Sequence, residues 1–239
     1  MTRTRRATVA MLLVGLAIFS SLYSTQAILP TLVDNMGLSS TEAAMTVSAA
    51  TGALALCVVP ASILSERFGR GRILLISAVA ATGVGLIVPF AQEGWQLIVV
   101  RGLQGALLSG APATAMAWLS EELDDKALPR AMGLYIAGTS VGGLTGRLIP
   151  TGLVEISTWR WALFGSALVS LAFAITAWLL LPTQRNFRPK SIHLTTESRA
   201  LLGHWANRDL ALLFLTAFLS MGTFVSMYNF LTFRLIDDF

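Results

Sequence analysis

The chain has 239 residues, of which 54% are hydrophobic and 13% charged, and its mean hydropathy is +0.68. Soluble domains carry roughly 25% charged residues, so this composition excludes an ordinary soluble domain and points to an all-α polytopic membrane protein. The net charge of +4 comes from arginines set between apolar runs rather than from a basic groove interleaved with aromatics, which argues against nucleic acid as a partner.

Cys57 is the one cysteine, so no intrachain disulfide can form. His193 and His204 share a polar loop without companion ligands, and neither a metal site nor a bound cofactor is expected.

Arg3, Arg5 and Arg6 precede an uncharged run over 7–33. A basic start, an apolar run and the small-residue stretch 24–27 match a secretory signal in outline. The run is longer than the usual 7–15 residue signal core, and further spans follow. A retained first helix with a cytoplasmic N-terminus is therefore expected. After an outer loop at 34–42, where Ser39 or Ser40 can cap a helix with Glu42 in its first turn, span 2 covers 43–65. Span 3 covers 73–90, ending near Pro89, and Trp95 marks the outer interface. Span 4 covers 96–119, followed by an acidic cytoplasmic loop with Glu121, Glu122, Asp124 and Asp125. Span 5 (131–153) is rich in glycine, and span 6 (161–181) stops at Pro182. The polar segment after it reads as a cytoplasmic linker with a short surface helix near 196–205, and a seventh apolar run occupies 210–233. The expected division is a six-helix bundle over 1–182, a linker over 183–209 and a further span within 210–239.

Of the 17 Lys and Arg, all but Arg101, Arg147, Arg160 and Arg234 fall in segments this layout puts in the cytoplasm. Arginine-bearing turns on the inner leaflet are what the positive-inside bias predicts.

Four stretches carry the functional signals. The first is the turn at 62–72, Ser-Ile-Leu-Ser-Glu-Arg-Phe-Gly-Arg-Gly-Arg, tight enough to make spans 2 and 3 antiparallel. Gly69 permits the reversal. Arg67, Arg70 and Arg72 can bond helix-end carbonyls, neighbouring acids or lipid phosphates, and Glu66 can pair with them. A lipid-facing basic anchor and a latch between helices are both open readings. The second is Arg101 with Gln104 and Gly105 in span 4. A charge within a span faces protein or water unless it snorkels, and Arg101 lies near enough to the outer end for either; Gln104 and Ser109 share its side. The third is span 5, where Gly138, Gly142 and Gly146 recur every fourth residue and make a smooth face for another helix. Gly143 and Arg147 lie within that stretch. The fourth is the polar cluster Tyr23, Ser24, Thr25 and Gln26 in span 1, where Pro30 bends the exit. Tyr23 and Gln26 are candidates for the substrate path, with Tyr228 and Asn229 of span 7 lining the same cavity.

The turn at 62–72 resembles the loop signature between helices 2 and 3 of the major facilitator superfamily. Ser62 stands where glycine is usual, Glu66 where aspartate is usual, and Gly71 in place of a basic residue. Arg101-Gly102-Leu103-Gln104-Gly105 is similar to the family's Arg-x-x-Gln-Gly motif. The stretch 138–147 resembles the glycine-rich helix 5 of its drug–proton antiporters, with Gly142-Gly143 in place of the characteristic Gly-Pro. With Gly133 to Ile136 ahead of it, the stretch looks like the arabinose-efflux-permease-like subgroup. The resemblance implies a bundle of two inverted three-helix repeats in a bacterial inner membrane. It also implies secondary-active, proton-coupled efflux of a small organic solute, with the turn as a conformational latch and Arg101 associated with proton movement. The partners it implies are the lipid bilayer, the substrate, and a C-terminal bundle or a second copy. No carboxylate lies deep in any span. The chain reads as the first half of such a transporter plus one helix. An inactive remnant or scaffold is the alternative, and a membrane enzyme is not supported by any nucleophile–base pair.

Overall fold

Lipid offers no hydrogen-bond partner to a backbone, so a chain this apolar must satisfy its amides within helices. A computed structural model describes residues 1–189 and 207–238, with the side chains of the last helix described as far as Met227. The regular elements among the described residues are all helical. They are α1 (Arg3–Tyr23), a 3-10 turn (Gln26–Ile28), α2 (Leu29–Met36), α3 (Ser40–Phe68) and α4 (Arg70–Gly85). A second 3-10 turn (Val88–Phe90), α5 (Gly94–Leu108), α6 (Gly110–Glu122), α7 (Leu128–Val154), α8 (Trp159–Leu180) and α9 (Arg208–Asp238) complete the series. The expected surface helix at 196–205, with His193 and His204, lies outside the described residues.

Five stretches among the described residues are long and apolar enough to cross a membrane: Arg3–Met36, Ser40–Phe68, Arg70–Phe90, Trp159–Leu180 and Arg208–Met227. The sequence-derived spans 4 and 5 fall short of that standard for separate reasons. Span 4 is not one helix. Ser109 and Gly110 precede Pro112, which has no N–H to give the Leu108 carbonyl, and α5 and α6 part at Ser109. Span 5 is a single helix, α7, whose apolar character is diluted by its glycines and by Arg147. Span 1 is also divided. α1 stops at Tyr23 and α2 starts at Leu29 with Pro30 in its first turn, where the missing N–H costs nothing.

The turn between α3 and α4 is a single residue, Gly69, at φ 99° and ψ 129°, a conformation that a side chain disfavours. At the start of α3, Ser39 rather than Ser40 is the cap, and its hydroxyl and amide exchange hydrogen bonds with Glu42.

The helices pack as two three-helix sets of the same plan. In the first set α1–α2 is the divided helix, followed by α3 and α4; in the second α5–α6 is divided, followed by α7 and α8. The divided helix of each set lies against the middle helix of the other: α1 on α7, and α5 on α3. The core between them interleaves alanines such as Ala7, Ala10, Ala17, Ala50, Ala78 and Ala115 with larger buried side chains such as Met11, Ile18, Leu74 and Trp118. Large apolar side chains such as Leu56, Phe90, Leu103 and Leu179 also point outward. The alanines suit a membrane, where close backbone approach holds helices together.

The compact unit runs from Met1 to Pro189, and the remainder forms a second unit. Residues 183–189, read from the sequence as the start of the linker, lie within the first unit. Gln184 donates to the Glu121 carboxylate, and the amides of Arg185 and Asn186 donate to that of Glu122, which ties the segment after α8 to the bundle.

Candidate functional site

A helix that stops inside a membrane leaves its last carbonyls without intrahelical donors. α1 stops at Tyr23 within the apolar stretch Arg3–Met36, and Arg101 reaches the gap from α5. Its guanidinium donates to the Ser21 carbonyl at 3.0 Å, to the Leu22 carbonyl, to Gln104 Oε1 at 2.5 Å and to the Thr46 carbonyl of α3 at 3.4 Å. Gln104 Nε2 in turn donates to Ser21 Oγ at 2.7 Å and to the Ala81 carbonyl of α4 at 3.2 Å. Arg101 is fully buried, which excludes the snorkelling alternative. Its charge rests on the negative end of the α1 dipole and on neutral oxygens. Ser109 does not join this group; it is buried and bonds the Ala106 carbonyl of its own helix. Gly105 lets the network form. A Cβ there would overlap the Ala50 backbone of α3, so only glycine allows α5 to approach this closely.

A second arginine meets the same gap from the other side. Arg147 of α7 donates from Nε to Gln26 Oε1 at 2.9 Å and from Nη1 to the Gly143 carbonyl at 2.8 Å. Its guanidinium lies 4.2 Å from the centre of the Tyr23 ring, a cation–π contact. Gly143 leaves room for that stack: a Cβ on it would stand 3.4 Å from Arg147 Nη1 and 3.6 Å from the ring. Gly138, Gly142 and Gly146 lie directly on α1, against the backbones of Leu12, Leu16 and Ser20, with Gly15 answering from α1. Tyr23, Gln26, Arg101, Gln104 and Arg147 therefore form one cluster around the interruption of the first helix. The side chains of Tyr228 and Asn229, expected to share this cavity, lie outside the described residues.

The charged turn belongs to a different assembly, at the end of the bundle that also holds the N-terminus. Arg70 bridges Glu66 at 3.6 Å and Glu121 at 2.5 Å, joining the turn to the end of α6. Arg3 pairs with Glu122 and donates to the Thr183 carbonyl, and Gln184 Oε1 accepts from the Gly71 amide. Arg67 and Arg72 are exposed and enter no ion pair among the described residues. Glu121 and Glu122 are the residues that sequence reasoning passed over. The available signal was an acidic pair closing an apolar run on the side of the membrane where the arginine turns collect.

Burial by itself would raise the Glu122 carboxyl, but the Arg3 guanidinium and the amides of Asn186 and Arg185 outweigh it and hold the pKa below the ordinary 4.5. A carboxyl depressed on folding adds stability that is complete above its unfolded pKa and is lost as pH falls through the folded one. The detergent-solubilised chain is expected to lose thermal stability progressively below pH 4.5. Glu122→Gln should be less stable at neutral pH and flatter across the acid range. Parallel acid profiles for the two proteins would remove Glu122 from this role.

Comparison with known proteins gives this geometry a family. The profile of the Major Facilitator Superfamily matches residues 11–239. The chain is 36% identical over 231 residues to the inner membrane transport protein YnfM of Escherichia coli (strain K12), covering 97% of this chain and 55% of that protein. It is 33% identical over 232 residues to the uncharacterized MFS-type transporter YybF of Bacillus subtilis (strain 168), covering 97% and 57%. A more partial likeness, 29% over 163 residues, joins it to the multidrug resistance protein MdtG of Proteus mirabilis (strain HI4320), covering 67% and 40%. The chain belongs to the Major Facilitator Superfamily and is an all-α, multi-pass membrane protein of that fold. It spans about half the length of the relatives YnfM and YybF.

Proposed function

We propose that the chain is the N-terminal portion of a secondary-active transporter that exports a small organic solute by alternating access, coupled to protons. The observation that carries this reading is the convergence of Arg101 and Arg147, from two different helices, on the interruption of the first helix. Interrupted helices in the membrane interior expose carbonyls and polar side chains where transporters hold their cargo. Tyr23, whose ring carries the Arg147 guanidinium, and Gln26, buried and accepting from Arg147, are the substrate-path candidates at that point and meet a solute once this cluster opens; Asn229 is the candidate from α9. Similarity to a multidrug resistance protein over part of the chain supports export. The arginine bias supports a bacterial inner membrane with the N-terminus in the cytoplasm.

The latch in this reading is Glu66, Arg67, Gly69, Arg70 and Arg72. The Arg70 bridges to Glu66 and Glu121 tie the turn between α3 and α4 to the end of α6 in the state described. Alternating access also needs a second bundle across the cavity, from the same polypeptide or a second copy. Every acid among the described residues lies in a turn or near a helix end. The coupling carboxylate therefore belongs to that second bundle, and Arg101 acts by holding the broken helix against it.

The test is reconstitution of a form containing both bundles in vesicles with an imposed pH gradient and a panel of organic solutes. Solute-dependent proton movement is expected, and Arg101→Ala should abolish it. Unchanged solute and proton flux in Arg101→Ala would end the coupling role. An absence of flux for every solute would end the transport reading.

A further inference from the structure

Three arginines flank the Gly69 turn between α3 and α4, and among the described residues one of them enters ion pairs. Arg70 pairs with Glu66 and Glu121, whereas Arg67 and Arg72 are exposed and meet no carboxylate among the described residues. Arg67 lies over the ring of its neighbour Phe68, 5.4 Å from the centroid. Both border a basin of about 680 Å³ between this turn, the end of α8 and the segment after it. Phe187 and Pro189 of the segment after α8 close its other side.

The walls of the basin change character with depth. Its mouth is basic, whereas Leu75, Ile76 and Trp178 form an apolar side that continues along α4 and α8. Ile76 is 53% and Trp178 46% exposed, so that side is not covered by the bundle. Beside the basin, Trp118 Nε1 is buried and has no hydrogen-bond partner among the described residues. It lies 3.0 Å from where a Cβ on Gly71 would stand, so any side chain at position 71 would crowd this donor.

We propose that this basin holds the headgroup of one anionic phospholipid of the adjoining leaflet. Arg67 and Arg72 receive the phosphate, and an acyl chain runs down the Ile76–Trp178 wall. A basic pocket between membrane helices at the water interface has the charge, and the apolar wall below it the polarity, that such a lipid presents. An interfacial tryptophan beside the acyl region fits the same depth. This inference needs only the membrane placement of the bundle and stands apart from the transport reading.

The test places the chain in phosphatidylcholine nanodiscs with graded fractions of phosphatidylglycerol whose acyl chains are brominated. Quenching assigned to Trp178, taken as the difference between wild type and Trp178→Phe, should occur at low phosphatidylglycerol fractions and far less with brominated phosphatidylcholine. The double variant Arg67→Gln, Arg72→Gln should lose this preference by on the order of tenfold, and Arg67→Lys, Arg72→Lys should retain most of it, because a lysine keeps the charge. Both positions are exposed, so these variants leave the packed core intact. Equal quenching by the two lipids, or an unchanged preference in the glutamine variant, would overturn the proposal. Protection of the basin by inorganic phosphate alone in detergent would make it a site for soluble anions. Absence of quenching by either lipid would mean that protein, from a second bundle or copy, covers it.

Discussion

Replacement of Arg101 by alanine is expected to destabilise the bundle by about 3–5 kcal/mol, the largest effect of any single substitution considered. The Leu22 carbonyl and Gln104 Oε1 lose their donor, each buried unsatisfied group costing roughly 1–3 kcal/mol, and the vacated volume adds the cost of a cavity. The Ser21 carbonyl is partly spared, because Ser24 Oγ also donates to it at 3.0 Å. Arg101→Lys should recover only a fraction of the loss, since one ammonium cannot reach α1, α3 and Gln104 in the directions a guanidinium fork does. Denaturant unfolding in detergent micelles is the measurement. An alanine variant within about 0.5 kcal/mol of wild type, the range of ordinary surface substitutions, would mean that the end of α1 is satisfied in some other way.

The second large effect is steric and is confined to one helix face. Gly138→Ala, Gly142→Ala and Gly146→Ala each drive a methyl into the backbone of α1, and overpacking of this kind costs about 1–3 kcal/mol per site. Gly152 lies in the same helix with nothing within 4 Å of its would-be Cβ. Gly152→Ala should therefore be neutral or stabilising by roughly 0.5–1 kcal/mol, as glycine removal from an open helix position usually is. The comparison separates helix propensity, which all four substitutions improve, from packing, which only three disturb. Four equal shifts in the unfolding midpoint would show that α7 does not depend on close approach to α1.

The membrane fold was open to reading because transfer into lipid is close to a residue-by-residue sum. The run over 43–65, the single-glycine turn at Gly69 and the helical face of Gly138, Gly142 and Gly146 all rest on composition or short spacing. The interruptions of spans 1 and 4 were harder to see. Proline alone does not decide them: Pro60 and Pro150 lie inside α3 and α7 without dividing either helix. The Ser109-Gly110 pair ahead of Pro112 was the clue in span 4. In span 1, Pro30 was read as a bend at the exit rather than as the start of a new helix. The acidic pair Glu121 and Glu122 was passed over because acids weigh little in membrane orientation, and orientation was the question being asked of that loop.

By itself, the amino-acid sequence determined that the chain is helical and membrane-embedded, where its spans begin and end within a few residues, and which residue types are unusual inside them. Those properties depend on local free energies of transfer and on helical periodicity. The tertiary structure decided that Arg101 and Arg147 serve the same broken helix, and that Arg70 turns to Glu121 while Arg67 and Arg72 enter no ion pair among the described residues. A guanidinium takes whatever carbonyl or carboxylate the rotation and register of neighbouring helices bring within reach, and close packing of glycine and alanine faces over the whole bundle sets that rotation.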